Sequence, residues 1–272
     1  MAIYTLSNIP SMRAQRYLNI SQRSLNTALE RLSSGKKINH ASDDPAGMLL
    51  STRFTRSIQA WETGANNLQM ATDLLNTADS FSTIIREDVE RLNELANQSL
   101  NGLLSDNERA LLDEEFQAIL PEINRLATNT KYLGLTIFSG ALSVEVKAGE
   151  GSTNVVTVSI SGLSTTALQI NGQSIGNQGA ASTALSAIGA AFSVLAGALA
   201  EIGAKASAFT KSMDATDALV ENLAASKATI MNADLAKETT NLTNSQIVVQ
   251  SGISALVQAN SAQTLALSLL GG

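Results

Sequence analysis

Apolar residues recur at alternating steps of three and four along most of the chain, which is the spacing of helices that bury one face. The most regular stripe lies in the second half and consists of Leu185, Ile188, Phe192, Leu195, Leu199, Ile202, Ala206, Phe209 and Met213. A second stripe begins at Phe54, shifts phase near Ala78 and ends at Leu95. It predicts a helix from about Pro45 to Gln98, roughly 80 Å long. Helices of this length favour a rod over a bulky globular core.

A third helix is predicted after residue 104 by a capping signal. The Ser105 hydroxyl can accept a hydrogen bond from the Glu108 amide while the Glu108 carboxylate reaches back to residue 105. An apolar stripe follows at helical spacing: Leu112, Phe116, Ile119, Ile123 and Leu126. Because Pro121 lies inside this stripe and has no amide hydrogen, we expect a kink at Pro121 or a break just before it.

The period changes to two in a β-region at about residues 141–178. The segments LSVEVKA and NVVTVSI alternate apolar and polar residues on either side of GEGST, which predicts a β-hairpin. The segment ALQI, residues 167–170, is a candidate third strand. The predicted fold class is therefore mainly α, a long antiparallel helical bundle or coiled-coil rod with a small β-hairpin region.

Both ends of the chain carry an apolar seam with the same spacing. The seam residues are Leu18, Leu25, Leu29 and Leu32 at one end and Leu242, Val249, Ile253 and Leu256 at the other. The final 34 residues, after Glu238, contain no charged side chain. A helix in water normally keeps charges on its outer face, so this segment is expected to pack against other protein. We predict that the terminal helices pair as a coiled coil and that both ends are interfaces.

Composition narrows the function classes further. The chain of 272 residues has no cysteine, which excludes disulfide frameworks and thiol nucleophiles. Its net charge of −6 argues against nucleic acid as a partner, because phosphate binding needs a basic face. No run of about 18 apolar residues is present, so no membrane insertion is expected. The N-terminal residues also lack the apolar centre of a cleaved signal peptide.

Two patterns that resemble catalytic or metal sites are better explained as turns. GQSIG, residues 172–176, matches GxSxG, but a hydrolase of that type needs a histidine downstream of Ser174, and the single histidine, His40, lies upstream. His40 with Asp43 and Asp44 supplies too few ligands for a metal. We therefore expect no enzyme activity, no cofactor and no metal.

Residues 33–47, SSGKKINHASDDPAG, form the densest cluster of turn formers and charges in the chain. Gly35 can end the first helix, while Asp44 can cap the next helix, with Pro45 at its first position. Together with Asp43, these residues predict a hinge between two helical segments.

The segment LSSGKKINHASDDPAG, preceded by ALER, strongly resembles a hallmark of bacterial flagellins. Residues 232–270 resemble the C-terminal hallmark of that family, and NRLATNTKYLGLTIFSG resembles the segment leading into its β-region. The resemblance implies a structural subunit that is exported unfolded through the flagellar type III apparatus, without a cleaved signal peptide, to the extracellular flagellum. There it would assemble into a helical homopolymer for swimming motility.

The resemblance also implies a domain division and a set of partners. Residues 1–43 and 232–272 would form the inner core domain through the eight seam residues, and residues 44–231 the middle domain. The filament cap, junction proteins and an export chaperone would be partners. The segment ERLNELANQS resembles the flagellin surface bound by a Toll-like immune receptor, which carries over to Arg91, Leu95 and Glu115. The alternative is that Leu95 belongs to the core and the charges form a solvated face.

Three other functions compete with this interpretation. A hook-filament junction protein shares similar termini, although the β-region segment and its shortness favour flagellin. A hydrolase using Ser174 is the enzyme alternative. A monomeric coiled-coil secreted effector is the third, and failure to form filaments would distinguish it.

Overall fold

Nine elements follow one another in the computed structural model, which describes residues 8–270. The helices are α1 (Ile9–Ser34), α2 (Pro45–Ser99), α3 (Asp106–Asn129), α4 (Gln178–Met231) and α5 (Leu235–Leu270). The strands are β1 (Lys131–Tyr132), β2 (Leu135–Thr136), β3 (Leu142–Lys147) and β4 (Val155–Ile160). The mainly helical fold class is confirmed, and α2 begins at the predicted residue and ends one residue later than predicted.

The chain divides into two compact units. The terminal unit contains residues 1–56 and 222–272, and the middle unit contains residues 57–221. Their boundaries fall inside α2 and α4. The division into filament domains at residues 43 and 231 stays a prediction.

In the terminal unit, α1 packs antiparallel against α5. The Asn8 side-chain amide donates to the Ala259 carbonyl at one end (3.3 Å), and Arg31 pairs with Glu238 at the other. The Leu18 side chain packs closely over Gly252, where an added Cβ would lie 3.3 Å from Leu18 Cδ1. The predicted pairing of the terminal helices is confirmed.

The middle unit has one apolar core, to which α2, α3, α4 and the β-region all contribute. Its largest fully buried side chains include Phe116, Phe138, Phe209, Leu75 and Leu92. Apart from these phenylalanines, much of the core consists of Ala, Leu and Ile at helical spacing, so the helices pack through narrow stripes.

The start of α3 has the predicted capping box between Ser105 and Glu108. The helix then continues through Pro121 to Asn129, so the expectation of a break before Pro121 was wrong. Phe116, Ile123 and the rest of the buried stripe hold both sides of Pro121 against the core, which compensates for the missing amide donor.

Arg109 connects the start of α3 to the end of α2. Its side chain is buried, and its Nε donates to the Ser99 carbonyl at 2.8 Å while Nη2 donates to the Asn101 carbonyl at 2.9 Å. These carbonyls lie at the C-terminal end of α2, where a cation is electrostatically favourable. The Arg109 guanidinium therefore caps one helix from the first turn of the next.

The β-region contains the predicted hairpin, with β3 antiparallel to β4 and Leu142 opposite Ile160. The prediction of a candidate third strand at residues 167–170 was wrong. Leu168 and Ile170 are buried, but their amides donate to Ser164 and Thr165 in a turn, and the short alternation had no strand to pair with. The β1–β2 ladder was not predicted.

The loop joining β3 to β4 packs tightly against α2. A Cβ on Gly64 would lie 2.3 Å from the Ala148 carbonyl oxygen, and one on Gly149 would lie 2.3 Å from the Trp61 ring. The Asn67 side-chain amide also donates to the Lys147 carbonyl at 3.0 Å. Glycine is needed at both positions because any side chain would separate the loop from the helix.

By length and composition, α4 resembles a membrane span, since 18 of its residues reach a mean hydropathy of 1.8. Because serine and glycine interrupt its apolar residues, this stretch does not form an unbroken apolar run in the sequence. α4 buries Ile188, Leu195 and Ile202 in the core of the middle unit, while 28% of the apolar window as a whole is buried.

The ionised carboxylate of Asp88 on α2 destabilises the folded state at neutral pH. Its Oδ2 atom is buried without a hydrogen-bond partner. Partial burial, followed by the charges of Glu122 and Glu87, raises the pKa of Asp88 above its usual value. Because the folded state holds this proton more tightly than the unfolded chain, stability falls as pH rises through the raised pKa.

We therefore expect Asp88→Asn to raise the Tm at neutral pH. The gain should vanish at pH values below the ordinary aspartate pKa, where Asp88 is protonated in both states. Thermal unfolding across this pH range measures the effect, and an equal gain at both ends of the range would contradict it.

Candidate functional site

The connection between α1 and α2 is ordered by its own side chains. Gly35 has a φ of 67°, the left-handed conformation that ends α1. The Asp43 carboxylate accepts from the amides of His40 (2.9 Å) and Asn39 (3.0 Å), and these bonds lower the pKa of Asp43. Asp44 Oδ1 accepts from the amides of residues 46 and 47, capping α2. The four predicted hinge residues thus lie at or beside these helix ends, but a hinge motion stays a prediction.

The connection between α4 and α5 is hydrogen-bonded to the first connection. The Lys37 amide donates to the Met231 carbonyl at 2.6 Å, and the Ala233 amide donates to the Gly35 carbonyl at 2.9 Å. Asp234 then caps α5 in the same way that Asp44 caps α2, through the amides of residues 236 and 237. Two helix ends and two helix starts are therefore held together in the terminal unit.

The paired helices bury one face and leave other apolar side chains in water. Besides Leu235 at the start of α5, the exposed large apolar side chains are Ile9, Met12, Tyr17, Ile20 and Leu29 on α1 and Ile247, Val248, Ile253, Val257 and Leu265 on α5, each between 45% and 66% exposed. Such an array is unusual for a monomer surface and marks a binding face. We refer to these ten residues as the outer apolar set.

The eight seam residues divide between the two environments. Six of them, Leu18, Leu25, Leu32, Leu242, Val249 and Leu256, are partly buried, while Leu29 and Ile253 belong to the outer apolar set.

A polar groove of about 550 Å³ also lies between α1 and α5. Arg23, Arg31, Glu238, Asn241 and Asn244 are among its lining residues. Glu238 is buried, and it contacts Arg31 at 3.5 Å and accepts from the Asn241 amide at 3.2 Å. This partly buried ion pair favours one register of α1 along α5, since a shift would leave a buried carboxylate unpaired.

The three residues of the predicted receptor surface do not share one environment. Arg91 Nε donates to Glu115 Oε1 at 2.8 Å across α2 and α3, and Nη1 donates to Glu94 at 2.9 Å. Both side chains of the Arg91–Glu115 pair are about half exposed, and the two carboxylates raise the pKa of Arg91. Leu95 is fully buried in the core, so its assignment to a surface was wrong.

The residues that suggested chemistry have structural partners. The Ser174 hydroxyl donates to Asp113 Oδ2 at 3.1 Å, and the Ile175 amide donates to Asp113 Oδ1 at 2.7 Å, which holds the GQSIG turn against α3. His40 Nε2 contacts Glu30 Oε1 at 2.8 Å. Within residues 8–270, no group of three or more His, Cys, Asp or Glu residues could hold a metal ion.

Charge is unevenly divided between the two units, which sequence analysis did not detect. The terminal unit has ten basic and five acidic residues, a net charge of +5, whereas the middle unit has eight basic and nineteen acidic residues, a net charge of −11. The positive charge comes entirely from residues 1–56, which have eight basic and three acidic residues, since residues 222–272 have two of each.

Paired terminal helices joined to long helices with a small β-hairpin region define a class of mainly helical proteins with apolar side chains exposed on the terminal pair. The sequence places this chain within that class. The N-terminal helical region of bacterial flagellin matches residues 6–143, and the C-terminal helical region of bacterial flagellin matches residues 185–270. The chain belongs to the bacterial flagellin family.

Individual relatives agree with this assignment. The flagellar filament 33 kDa core protein of Treponema phagedenis is 29% identical over 97% of this chain and 98% of its own length. Flagellin of Listeria innocua is 29% identical over 93% of this chain and 94% of its own length. Flagellin A of Vibrio anguillarum is 34% identical over 64% of this chain, and the match spans only 46% of that relative.

A solved flagellar hook-associated protein from Vibrio parahaemolyticus has a similar fold. It superposes with a TM-score of 0.58 and 16% identity, covering 70% of this chain and 99% of its own. At this identity the likeness concerns the fold alone, and nothing favours the junction-protein alternative. The protein is a structural subunit of the bacterial flagellar filament, the extracellular appendage of swimming motility.

The packing at the connection between α1 and α2 can be tested with a substitution. A Cβ on Gly47 would lie 2.6 Å from both Asp44 Oδ2 and Ile38 Cδ1. Gly47→Ala should therefore destabilise the first turn of α2 by about 1 kcal/mol or more, although alanine is the better helix former. Hydrogen exchange of the backbone amides at residues 46–52 measures the loss.

Gly189→Ala on α4 is the matched control, because nothing lies within 4 Å of its added Cβ. This variant should gain about 0.5–1 kcal/mol. If Gly47→Ala also slowed exchange, the close packing at the α2 cap would be contradicted.

Proposed function

We propose that the paired α1 and α5 helices form the core of the filament, with Leu18, Leu25, Leu29, Leu32, Leu242, Val249, Ile253 and Leu256 as its interface residues. The outer apolar set is the observation that supports this role most directly. Since α5 carries no charge after Glu238, a second copy can pack against it without desolvating an ionised group.

The energy available from this set is large enough to drive assembly. Each half-exposed Ile, Val or Leu still has much of its side chain in water, and full burial of such a side chain is worth roughly 1.5–3 kcal/mol. Several such contacts recur in every subunit of a helical polymer, so small gains per residue accumulate along the filament.

The four residues at the connection between α1 and α2, Gly35, Asp43, Asp44 and Pro45, would set the direction of the terminal helices relative to the long helices. Their role as an inter-domain hinge is supported by the helix ends that converge there. In this proposal, residues 1–43 and 232–272 form the inner filament domain and residues 44–231 form the next domain.

The remaining partners are proposed from the family alone. They are the filament cap, the junction proteins and an export chaperone, with no nucleic acid partner and no membrane insertion. We also propose export through the flagellar type III apparatus without cleavage of a leader. The intact mass of the secreted protein tests the last point, because a cleaved leader would lower it.

An immune receptor of the Toll-like class is a further proposed partner. Arg91 and Glu115 are both half exposed and already paired, so they present a fixed arrangement of opposite charges across two helices. The buried Leu95 would support this surface from below and would not contact a receptor directly.

The core proposal is tested with Ile253→Glu. Because Ile253 is 51% exposed in the single chain, the monomer should keep its helical content and its Tm. In a filament core the new carboxylate would lose its water at a cost of several kcal/mol per subunit, so polymerisation should fail. Negative-stain electron microscopy under salting-out conditions measures the outcome.

Asn76→Glu adds the same charge at an exposed position of α2 and should still form filaments. Normal filaments from Ile253→Glu would show that this face is not buried on assembly.

The receptor proposal is tested with Arg91→Ala and Glu115→Ala in a receptor reporter assay. Both variants should signal more weakly than the wild type because each removes one half of the charged pair. Arg125→Ala is the matched control, since Arg125 forms a similar exposed pair with Glu122 on α3 and should leave signalling unchanged. Wild-type signalling by both test variants would remove Arg91 and Glu115 from the proposed surface.

A further inference from the structure

The two-residue turn between β1 and β2 carries an exposed leucine in an unfavourable backbone conformation. Leu133 has a φ of 48° and Gly134 a φ of 86°, and the flanking residues Tyr132 and Leu135 pair across the ladder. The Leu133 side chain is 79% exposed, and Leu135 beside it is 44% exposed. We refer to residues 131–135 as the turn tip.

Folding of the single chain does not account for Leu133. A two-residue turn with positive φ at both positions favours Asn-Gly, because asparagine tolerates the left-handed region far better than leucine. Gly134 meets this requirement, whereas Leu133 adds backbone strain and leaves an apolar side chain in water. Asparagine at this position would suit the isolated subunit better on both grounds.

The turn tip is also held rigidly. The Ile137 amide donates to the Thr130 carbonyl at 3.1 Å, which closes the base of the turn. Ile137 and Phe138, which follow directly, are fully buried in the core of the middle unit. Leu133 therefore projects from a fixed base, and a rigid apolar side chain loses little entropy when it is buried by a partner.

The charge of the turn tip is opposite to that of its unit. Lys131 is exposed and, like the other three lysines of the middle unit, forms no ion pair among the described residues, whereas Arg86, Arg91, Arg109 and Arg125 each pair with a carboxylate. The middle unit as a whole has a net charge of −11. A tip with one free cation and two exposed leucines is therefore complementary to the acidic surface of another middle unit.

We propose that the turn tip is an assembly contact, in which Leu133 and Lys131 bind the acidic middle unit of a second copy of this chain. The inference rests on assembly into a filament and adds a contact outside the terminal helices. A second copy is the occupant that fits, because polymerisation brings acidic middle units together and the tip is the complementary feature.

Leu133→Asn in the full chain separates folding from assembly. The variant monomer should have a higher Tm than the wild type, because the strain is relieved. Its critical concentration for polymerisation should rise roughly tenfold or more, because a buried leucine contact is lost. Leu103→Asn is the matched control, since Leu103 is 92% exposed in the α2–α3 loop. An unchanged critical concentration, or an equal rise in the control, would overturn the proposal.

A cysteine at the tip gives a second measurement that does not depend on the core proposal. The chain has no cysteine, so Leu133→Cys introduces a single reactive thiol. A maleimide should label it fully in monomers and at least tenfold more slowly in filaments. Equal labelling rates in monomers and filaments would overturn the tip contact, even if Ile253→Glu had abolished polymerisation. Protection of the thiol in filaments would support the tip contact, even if Ile253→Glu had left polymerisation intact.

Discussion

The structure depends on the backbone hydrogen bonds that join residues 35–37 to residues 231–233. They close the long loop from residue 37 to residue 231, and the entropy of that closure must be recovered by the contacts that follow it. Once Gly35 has turned the chain and Lys37 has bonded to Met231, the end of α1 lies beside the start of α5. Both helices then run away from the same point, so their apolar seams meet along their length.

That pairing satisfies only part of the apolar surface of each helix. One face of α1 and one face of α5 form the seam, whereas the outer apolar set stays in contact with water. A two-helix pair has too little interior to bury residues on every side, however well the two helices fit. In the proposed filament core, helices of other copies would cover this set and give the terminal unit the burial of an ordinary core. The apolar surface that pairing leaves in water is thus the surface that the proposed assembly would bury.

Much of the fold could be predicted because its helix boundaries carry local signals. Asp44 with Pro45, Ser105 with Glu108, and Gly35 each act within a few residues, and all three boundaries were found. The errors lie where distant contacts decide. Residues 167–170 alternate like a strand but had no partner strand, and Leu95 lies beside charged residues in sequence yet faces the core. The positive charge of the terminal unit comes from residues 1–56 alone, but only the fold shows that residues 222–272, which add no net charge, complete this unit.

Because charge is divided between the two units, apolar burial must overcome electrostatic repulsion between copies when they assemble. Copies that pack through their terminal units bring together units of net charge +5, and the attached middle units of net charge −11 come closer as well. Like charges on separate copies repel, and the repulsion extends over about 10 Å at moderate salt. Salts that both screen charge and strengthen apolar burial favour assembly in two ways, because they weaken the repulsion between copies and stabilise the apolar contact. The uncharged length of α5 places the apolar contact where no fixed charge of that segment opposes it, so the charged regions can keep separate subunits soluble without preventing the core from forming.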